Sequence, residues 1–369
     1  MHVICPVCQT ETVFLADIWR CACGGAWEIA DLPTFDDQRI NGKDYSIWRY
    51  GELLGLDVKS SSIRMGVGWT PLVPADLFER QVHLKLDYLL PSGSFKDRGV
   101  NAMINQLYYS DARSIIEDSS GNAGASVAAH AARFGIEVEI YVPANTPPVK
   151  LRQIEAYGAN VVKIQGNRQA VENAAQTGIR RGKAYASHAY HPAYLVGQMT
   201  CAFEIWEQLD RNAPDWVICP VGQGGALLGL WFGFRQLLSS GHIPKLPHLV
   251  AVQAARIAPV VKAWEAGKDL IPQIEKPEPS VADGVAIAQP VRGKRILQAL
   301  SESKGKALAI SEELILNSQE MIARKGFLIE ATSALAVAGL SALHDEISPE
   351  DTVIMILTGS GLKSLSQTL

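Results

Sequence analysis

The sequence predicts an α/β fold with mainly parallel, twisted sheets flanked by helices. Three observations predict it. Short apolar, β-rich runs alternate with helical stretches over most of the 369 residues. Parallel strands need crossovers, which the helices between them supply. Two of the helical stretches close on glycine, Gly135 and Gly158, as helices commonly do. The composition, 47% hydrophobic and 20% charged, lets a chain of this length bury a large core without disulfides.

The elements follow in order. Residues 1–35 form a separate small module, too poor in apolar residues to sustain a core. A linker, Asp36 to Ser62, carries Tyr45, Trp48 and Tyr50, which are expected to pack on the main body. Strands are expected at Val82–Leu86, Ser114–Glu117, Val138–Val142, Val161–Ile164, Trp216–Cys219, Leu249–Val252 and Val353–Leu357. Helices are expected at Gly99–Tyr109, Ala123–Phe134, Val149–Tyr157, Tyr194–Leu209, Ala226–Leu238 and Ser311–Lys325. The Pro- and Ala-rich stretch from Pro272 to Pro290 reads as a long connection that crosses the surface or lines a cleft.

Composition also excludes partners. A net charge of −4 gives no electrostatic reason for nucleic acid or an anionic membrane. The longest weakly polar run, Ala331 to Leu343, is too short to span a bilayer. Residues Met1 to Pro6 lack the basic and apolar regions of a secretory signal, which places the protein in the cytoplasm. Four of the six cysteines crowd into the first 23 residues. In a reducing compartment that crowding points to metal rather than disulfides. Cys5-x2-Cys8 and Cys21-x-Cys23, 12 residues apart and followed by Gly24-Gly25, are able to present four thiolates to one structural Zn²⁺. Cys201 and Cys219 sit in apolar surroundings and read as core.

Lys96, in Pro91-Ser92-Gly93-Ser94-Phe95-Lys96-Asp97-Arg98-Gly99, is a cation where a helix should begin. The helix dipole opposes positive charge in a first turn, so the position calls for another reason. Ser94 and Asp97 have the spacing of a capping box, and capping with a local ion pair accounts for Asp97 and Arg98.

Three glycine-bearing loops follow expected strands. The first, Ser119-Ser120-Gly121-Asn122-Ala123-Gly124, lets backbone N–H groups approach a carboxylate at a helix N-terminus. The second, Gly222-Gln223-Gly224-Gly225-Ala226, forms a nest for a phosphate but lacks the Lys-Ser/Thr ending of a nucleotide P-loop. The third is Thr358-Gly359-Ser360-Gly361, after the last strand. One lysine, one carboxylate loop, one phosphate nest and one strand-end hydroxyl together point to pyridoxal phosphate, with Lys96 forming a Schiff base to its aldehyde.

These residues, with Gly197-Gln198-Met199-Thr200 and Leu357 to Lys363, resemble the threonine synthase branch of the fold-type-II, tryptophan-synthase-β-like pyridoxal phosphate enzymes. The resemblance runs from Cys5 to Lys363. It implies a small zinc-ribbon-like module at 1–35 and a catalytic region at 36–369. Within that region a smaller subdomain, about 95–195, is inserted in a larger one of about 60–94 and 196–369. It further implies that Lys96 holds the cofactor and shuttles protons, with Phe95 and Asn122 beside the ring. Ser119 to Gly124 would receive the substrate carboxylate, Gly222 to Ala226 the cofactor phosphate, and Thr358 would face the ring nitrogen. A small amino acid as substrate and a homodimer follow from the same resemblance.

The chain departs from that branch where a substrate phosphate would lie. The branch usually carries Asn-Pro-x-Arg before Gly-Gln-Lys-Thr; here the stretches are His191-Pro192-Ala193-Tyr194 and Gly197-Gln198-Met199-Thr200. A tyrosine cannot replace an arginine fork charge for charge. The loop at 222–226 also ends in Ala226 rather than asparagine. The implied reaction is elimination or replacement at Cβ or Cγ, nearest to conversion of O-phosphohomoserine to threonine and phosphate. A serine/threonine dehydratase-like β-eliminase or a β-replacement synthase on an unphosphorylated amino acid stays open. A non-catalytic sensor of pyridoxal phosphate or amino acids is disfavoured, because a sensor has no need of Lys96. His188 and His191 read as hydrogen-bonding loop histidines rather than a metal pair. Glu330 is either an ordinary first-turn acid or faces the cofactor.

Overall fold

The computed structural model describes residues 1–15, 18–56, 64–166 and 168–363. In chain order the strands are β1 (His2–Ile4), β2 (Glu11–Val13), β3 (Glu28–Ile29), β4 (Leu72–Leu77), β5 (Arg80–Lys85), β6 (Ser114–Glu117) and β7 (Glu137–Pro143). They continue as β8 (Asn160–Ile164), β9 (Ala184–Tyr185), β10 (Trp216–Pro220), β11 (His248–Ala254), β12 (Lys306–Ile310) and β13 (Val353–Ile356). The α-helices are α1 (Lys96–Tyr109), α2 (Asn122–Phe134), α3 (Pro148–Ala156), α4 (Arg168–Arg180) and α5 (Pro192–Gln208). After them come α6 (Gly225–Ser239), α7 (Pro259–Glu265), α8 (Gly293–Glu302), α9 (Glu312–Arg324) and α10 (Ala331–Ala342).

The chain forms two compact units, one of residues 1–68 and 96–197, the other of 69–95 and 198–369. The first holds a four-stranded, wholly parallel sheet in the order β8-β7-β6-β9. It also holds the N-terminal module, whose short strands pair antiparallel as β2-β1-β3. The second holds a six-stranded sheet, β12-β11-β10-β13-β5-β4, parallel except for the edge strand β4. β4 carries Pro74, which an edge tolerates because one of its sides needs no ladder donor. The core strands β10 and β13 are buried along their whole length, as parallel strands covered on both faces are.

Every expected strand and helix forms, within a few residues. Expectation and structure differ in three respects. α1 begins at Lys96, three residues before the expected Gly99. β1, β2, β3, β4, β9 and β12 and helices α4, α7 and α8 lie outside the expected strands and helices. Tyr45 does not pack inward like Trp48 and Tyr50: it is 65% exposed, with the Arg49 guanidinium over its ring. Residues 57–63, including the end of that linker, lie outside the described residues. Trp48 does anchor its segment, donating from Nε1 to Asn101 Oδ1 of α1 at 2.9 Å.

In the second unit a fully buried ion pair fixes the entry of the chain. Lys85 Nζ donates to Glu204 Oε2, to Gln208 Oε1 and to the Thr70 carbonyl, each at 2.8 Å. Glu204 also accepts from the Trp69 amide at 2.7 Å. Three acceptors exhaust the donors of an ammonium, which is what allows a lysine to lie at zero exposure.

Among the described residues no helix is long and apolar enough to cross a membrane. Cys201 and Cys219 are buried, and burial raises the Cys219 thiol far above its ordinary range.

Candidate active site

Lys96 is the first residue of α1 and half-buried. The residue before it belongs to the second unit, which ties it down from both sides. Phe95 N–H donates to the Thr358 carbonyl at 2.9 Å, and the Phe95 carbonyl accepts from Gln198 Nε2 at 3.1 Å. Ser94 pairs through its backbone with Gly359 in an isolated antiparallel bridge. The capping role expected of Ser94 is not found: its hydroxyl is fully buried and makes no hydrogen bond. Asp97 looks elsewhere too, accepting from Ser126 Oγ of α2 at 2.5 Å.

At the end of β13, Thr358 is buried, and its hydroxyl lies 3.0 Å from Ser333 Oγ of α10. Ser333 accepts from the Gly359 amide at 2.6 Å. Neither Ser333 nor Gln198 stood out as a site residue in the sequence, although a hydroxyl pair, Thr332-Ser333, inside the small apolar helix 331–342 was a usable signal. Glu330 precedes α10 and lies against Gly359: a Cβ there would come within 2.1 Å of Glu330 Oε1. This carboxylate therefore sits beside the strand end that carries Thr358.

The 222–226 loop connects β10 to α6. Gly224 adopts φ +83°, the left-handed region open to glycine, and no side chain caps the helix that follows. A Cβ at Gly222 would meet Val285 Cα at 3.0 Å and the Gly284 carbonyl at 3.2 Å. The Pro272–Pro290 connection thus lies along this loop. Gln223 Oε1 accepts from the amide of Val291, just past that connection, at 2.9 Å, so its side chain is already engaged.

In the first unit, the 119–124 loop opens α2, again without a side-chain cap on the helix. Gly124 is dictated by sterics, since a Cβ would lie 1.9 Å from the Ser119 carbonyl oxygen. Ser119 Oγ accepts from the Gly121 amide at 3.3 Å, and Ser119, Ser120 and Asn122 are half-buried. α5 packs closely on the first turn of α1. A Cβ at Gly99 would fall 2.4–2.7 Å from the Tyr194 ring, and one at Gly197 would fall 2.3 Å from the Arg98 carbonyl. Tyr194 is buried against Gly99, and Met199 is buried in the second unit against Gly233 of α6. Neither position brings a cation. His188 Nδ1 bonds Glu117 Oε1 at 2.8 Å, and His191 Nδ1 accepts from the Ala193 amide at 3.2 Å, opening α5. Both histidines therefore have hydrogen-bonding roles.

The Sγ atoms of Cys5, Cys8, Cys21 and Cys23 all lie within 4.8 Å of one another, with Cys5–Cys23 and Cys8–Cys21 at 3.5 Å. Four sulfurs tetrahedral about zinc at ~2.3 Å would be ~3.8 Å apart, so the cluster fits that ion. Hydrogen bonds from the Thr10 hydroxyl and backbone lower the exposed Cys8 thiol to about 6. Residues fitting pyridoxal phosphate are present as well: an unpaired buried hydroxyl two residues before Lys96, and a loop whose glycines a side chain would fill.

Residues 63–359 match the sequence profile of a family described as pyridoxal-phosphate dependent enzyme. Threonine synthase of Methanocaldococcus jannaschii is 33% identical over 361 residues, 94% of this chain and 89% of that one. Threonine synthase of Methanosarcina acetivorans is 32% identical over 98% of this chain and 92% of its own. Among solved structures, a threonine deaminase from T.th. superimposes with a TM-score of 0.69 at 27% identity, covering 79% of this chain and 92% of that one. An L-serine ammonia-lyase from Rhizomucor miehei gives 0.69 at 26%, covering 81% and 96%.

Proposed function

Since the chain belongs to the pyridoxal-phosphate dependent enzymes, we propose that it carries out elimination or replacement at Cβ or Cγ of a small amino acid, as a threonine-synthase-type enzyme. The observation that carries this reading is the wiring of Thr358. Its carbonyl holds the Phe95 amide, one residue before Lys96, and its hydroxyl is held by Ser333. The chain entering Lys96 and a neutral hydroxyl are thereby kept at one end of one strand.

Bound pyridoxal phosphate supplies an electron sink for the bonds broken at the substrate α carbon. Lys96 Nζ would hold the cofactor aldehyde and is the amine available to move the α proton of the substrate. The Gly222–Ala226 loop grips the phosphate with backbone N–H groups, and Phe95 and Asn122 border the ring. Ser119 to Gly124, at the N-terminus of α2, hold the substrate carboxylate. Ser333 Oγ lies 3.0 Å from the Thr358 hydroxyl and also donates to the Gly359 carbonyl at 3.1 Å, so the pair would hold a neutral hydroxyl toward the ring nitrogen. A neutral partner there leaves the ring a weaker sink, which suits elimination and replacement better than transamination. Cys5, Cys8, Cys21 and Cys23 hold a structural zinc in a ribbon-like module. A homodimer in the cytoplasm completes the reading, and light scattering of the purified protein tests the assembly.

Addition of pyridoxal phosphate should produce a visible absorption band that Lys96→Ala abolishes. Borohydride reduction should leave the pyridoxyl label on Lys96. Absence of both refutes the reading. A second reading, β-elimination from an unphosphorylated amino acid, is favoured by Tyr194 and Met199, which bring no cation for a substrate phosphate. Turnover of O-phosphohomoserine against serine and threonine decides between the two.

A further inference from the structure

The cysteine module is fastened to the part of the first unit that supports Lys96. Two of its four thiols, Cys5 and Cys21, lie inside its apolar cluster with Val3 and Trp27, and Phe14 and Ile18 pack against them. So small a cluster cannot order itself, and a metal closing both cysteine pairs would supply the missing constraint. The stretch between the pairs carries the contacts outward. The Phe14 ring meets His191 edge-on, centroids 4.7 Å apart. The Trp19 indole meets Tyr190 at 4.7 Å and Tyr185 at 5.2 Å, both edge-on.

The residues they touch are the ones that set α5. Tyr185 ends β9, which pairs with β6. His191 accepts from the Ala193 amide, and its carbonyl accepts from Tyr194 N–H, so it opens the helix. Tyr194 then covers Gly99, and the Gly197 backbone approaches Arg98 and Gly99 too closely to admit a side chain. Gly99 lies one turn beyond Lys96. Packed elements with no space between them transmit displacement rather than absorb it.

We propose that Phe14 and Trp19 are positioning residues through which zinc at Cys5, Cys8, Cys21 and Cys23 holds the start of α5, and with it the first turn of α1 that presents Lys96. The proposal rests on the reading of Lys96 as the cofactor lysine only for its kinetic part; the mechanical part stands on contacts within one unit.

The full-length protein, loaded with zinc and pyridoxal phosphate, is compared with the same protein after chelation and after zinc is returned. Zinc content is measured alongside amide hydrogen exchange and steady-state kinetics. Chelation should raise exchange in residues 185–197 and leave residues 306–324 of the other unit unchanged, reversibly on zinc return. Phe14→Ala, with zinc still bound, should raise the same exchange and lower kcat about tenfold, the size of a lost aromatic contact pair, because the group displaced is the lysine that moves the proton. Phe14→Leu and Trp19→Phe, which keep most of the packing, should lie between it and wild type. The proposal is overturned if the protein binds no zinc, or if 185–197 exchanges identically with and without it. It is overturned equally if zinc-loaded Phe14→Ala matches wild type in exchange and kcat. Failure of the cofactor reading would instead show as no visible cofactor band while the exchange result still holds.

Discussion

Gly124→Ala is the most direct test of the 119–124 loop as the proposed site of the substrate carboxylate. An added Cβ would sit 1.9 Å from the Ser119 carbonyl oxygen and 3.0 Å from its carbon. Real Cβ contacts essentially never fall below 3.0 Å, so Ser119 must retreat by at least about 1.1 Å, which is 3.0 minus 1.9. The obstacle is backbone, not a side chain that swings aside, and Ile140 stands 3.3 Å away on another side. Overpacking of this kind costs about 1–3 kcal/mol, and an immovable carbonyl places Gly124→Ala in the upper part of that range. The retreat also opens the loop whose N–H groups are to meet a carboxylate, so substrate affinity should fall at least about tenfold, or 1.4 kcal/mol. Urea denaturation and a spectral titration of the cofactor-loaded protein with amino acid read the two effects. Gly121→Ala is the control for stability. Its added Cβ meets only Ser119 Oγ at 3.9 Å, and it should stay within about 0.5 kcal/mol of wild type. If Gly124→Ala keeps wild-type stability and substrate affinity, the assignment of this loop is wrong.

Three further outcomes are expected. Lys85→Met leaves the fully buried Glu204 carboxylate without its cation and should cost about 3–5 kcal/mol by denaturation; adding Glu204→Leu should return part of it. Ser333→Ala strips the Gly359 amide and the Thr358 hydroxyl of their partner. It should cost about 1–3 kcal/mol of stability and shift the cofactor absorption, whereas an unchanged spectrum would separate Thr358 from the ring. His130 is fully buried, and burial holds its pKa below 6.5 against the opposing pull of Asp97 and the Ser126 carbonyl. A base with a depressed folded pKa lends stability that is complete above its unfolded value and lost as pH falls toward the folded one. Wild-type stability should therefore decline below about pH 6.5 more steeply than that of His130→Gln, and parallel pH curves would contradict this.

Much of the fold was legible because its signals are local. The strands Ser114–Glu117 and Trp216–Pro220 are short apolar runs that nothing in their neighbourhood contradicts. β4 was not legible, since Pro74 argues against a strand unless the residue lies at an edge, and only pairing with β5 reveals the edge. The Ser94 cap failed for a similar reason. The spacing Ser94 to Asp97 satisfies a local rule, but the Ser94 backbone pairs with Gly359, far away in sequence, and its buried hydroxyl makes no hydrogen bond.

Local chemistry by itself determined the α/β class, Lys96, the glycine loops at 119–124 and 222–226, and the cysteine spacing. Each of these depends on a residue's own backbone freedom or on groups within a few positions. Only the tertiary structure decided which groups those residues serve. Gly124 answers to the Ser119 carbonyl, Gly99 to the Tyr194 ring, Gly359 to Glu330, and Thr358 to Ser333. Partners so distant in the chain are chosen by sheet register and by how closely two helices cross. Those are outcomes of packing the whole unit, which no window of sequence contains.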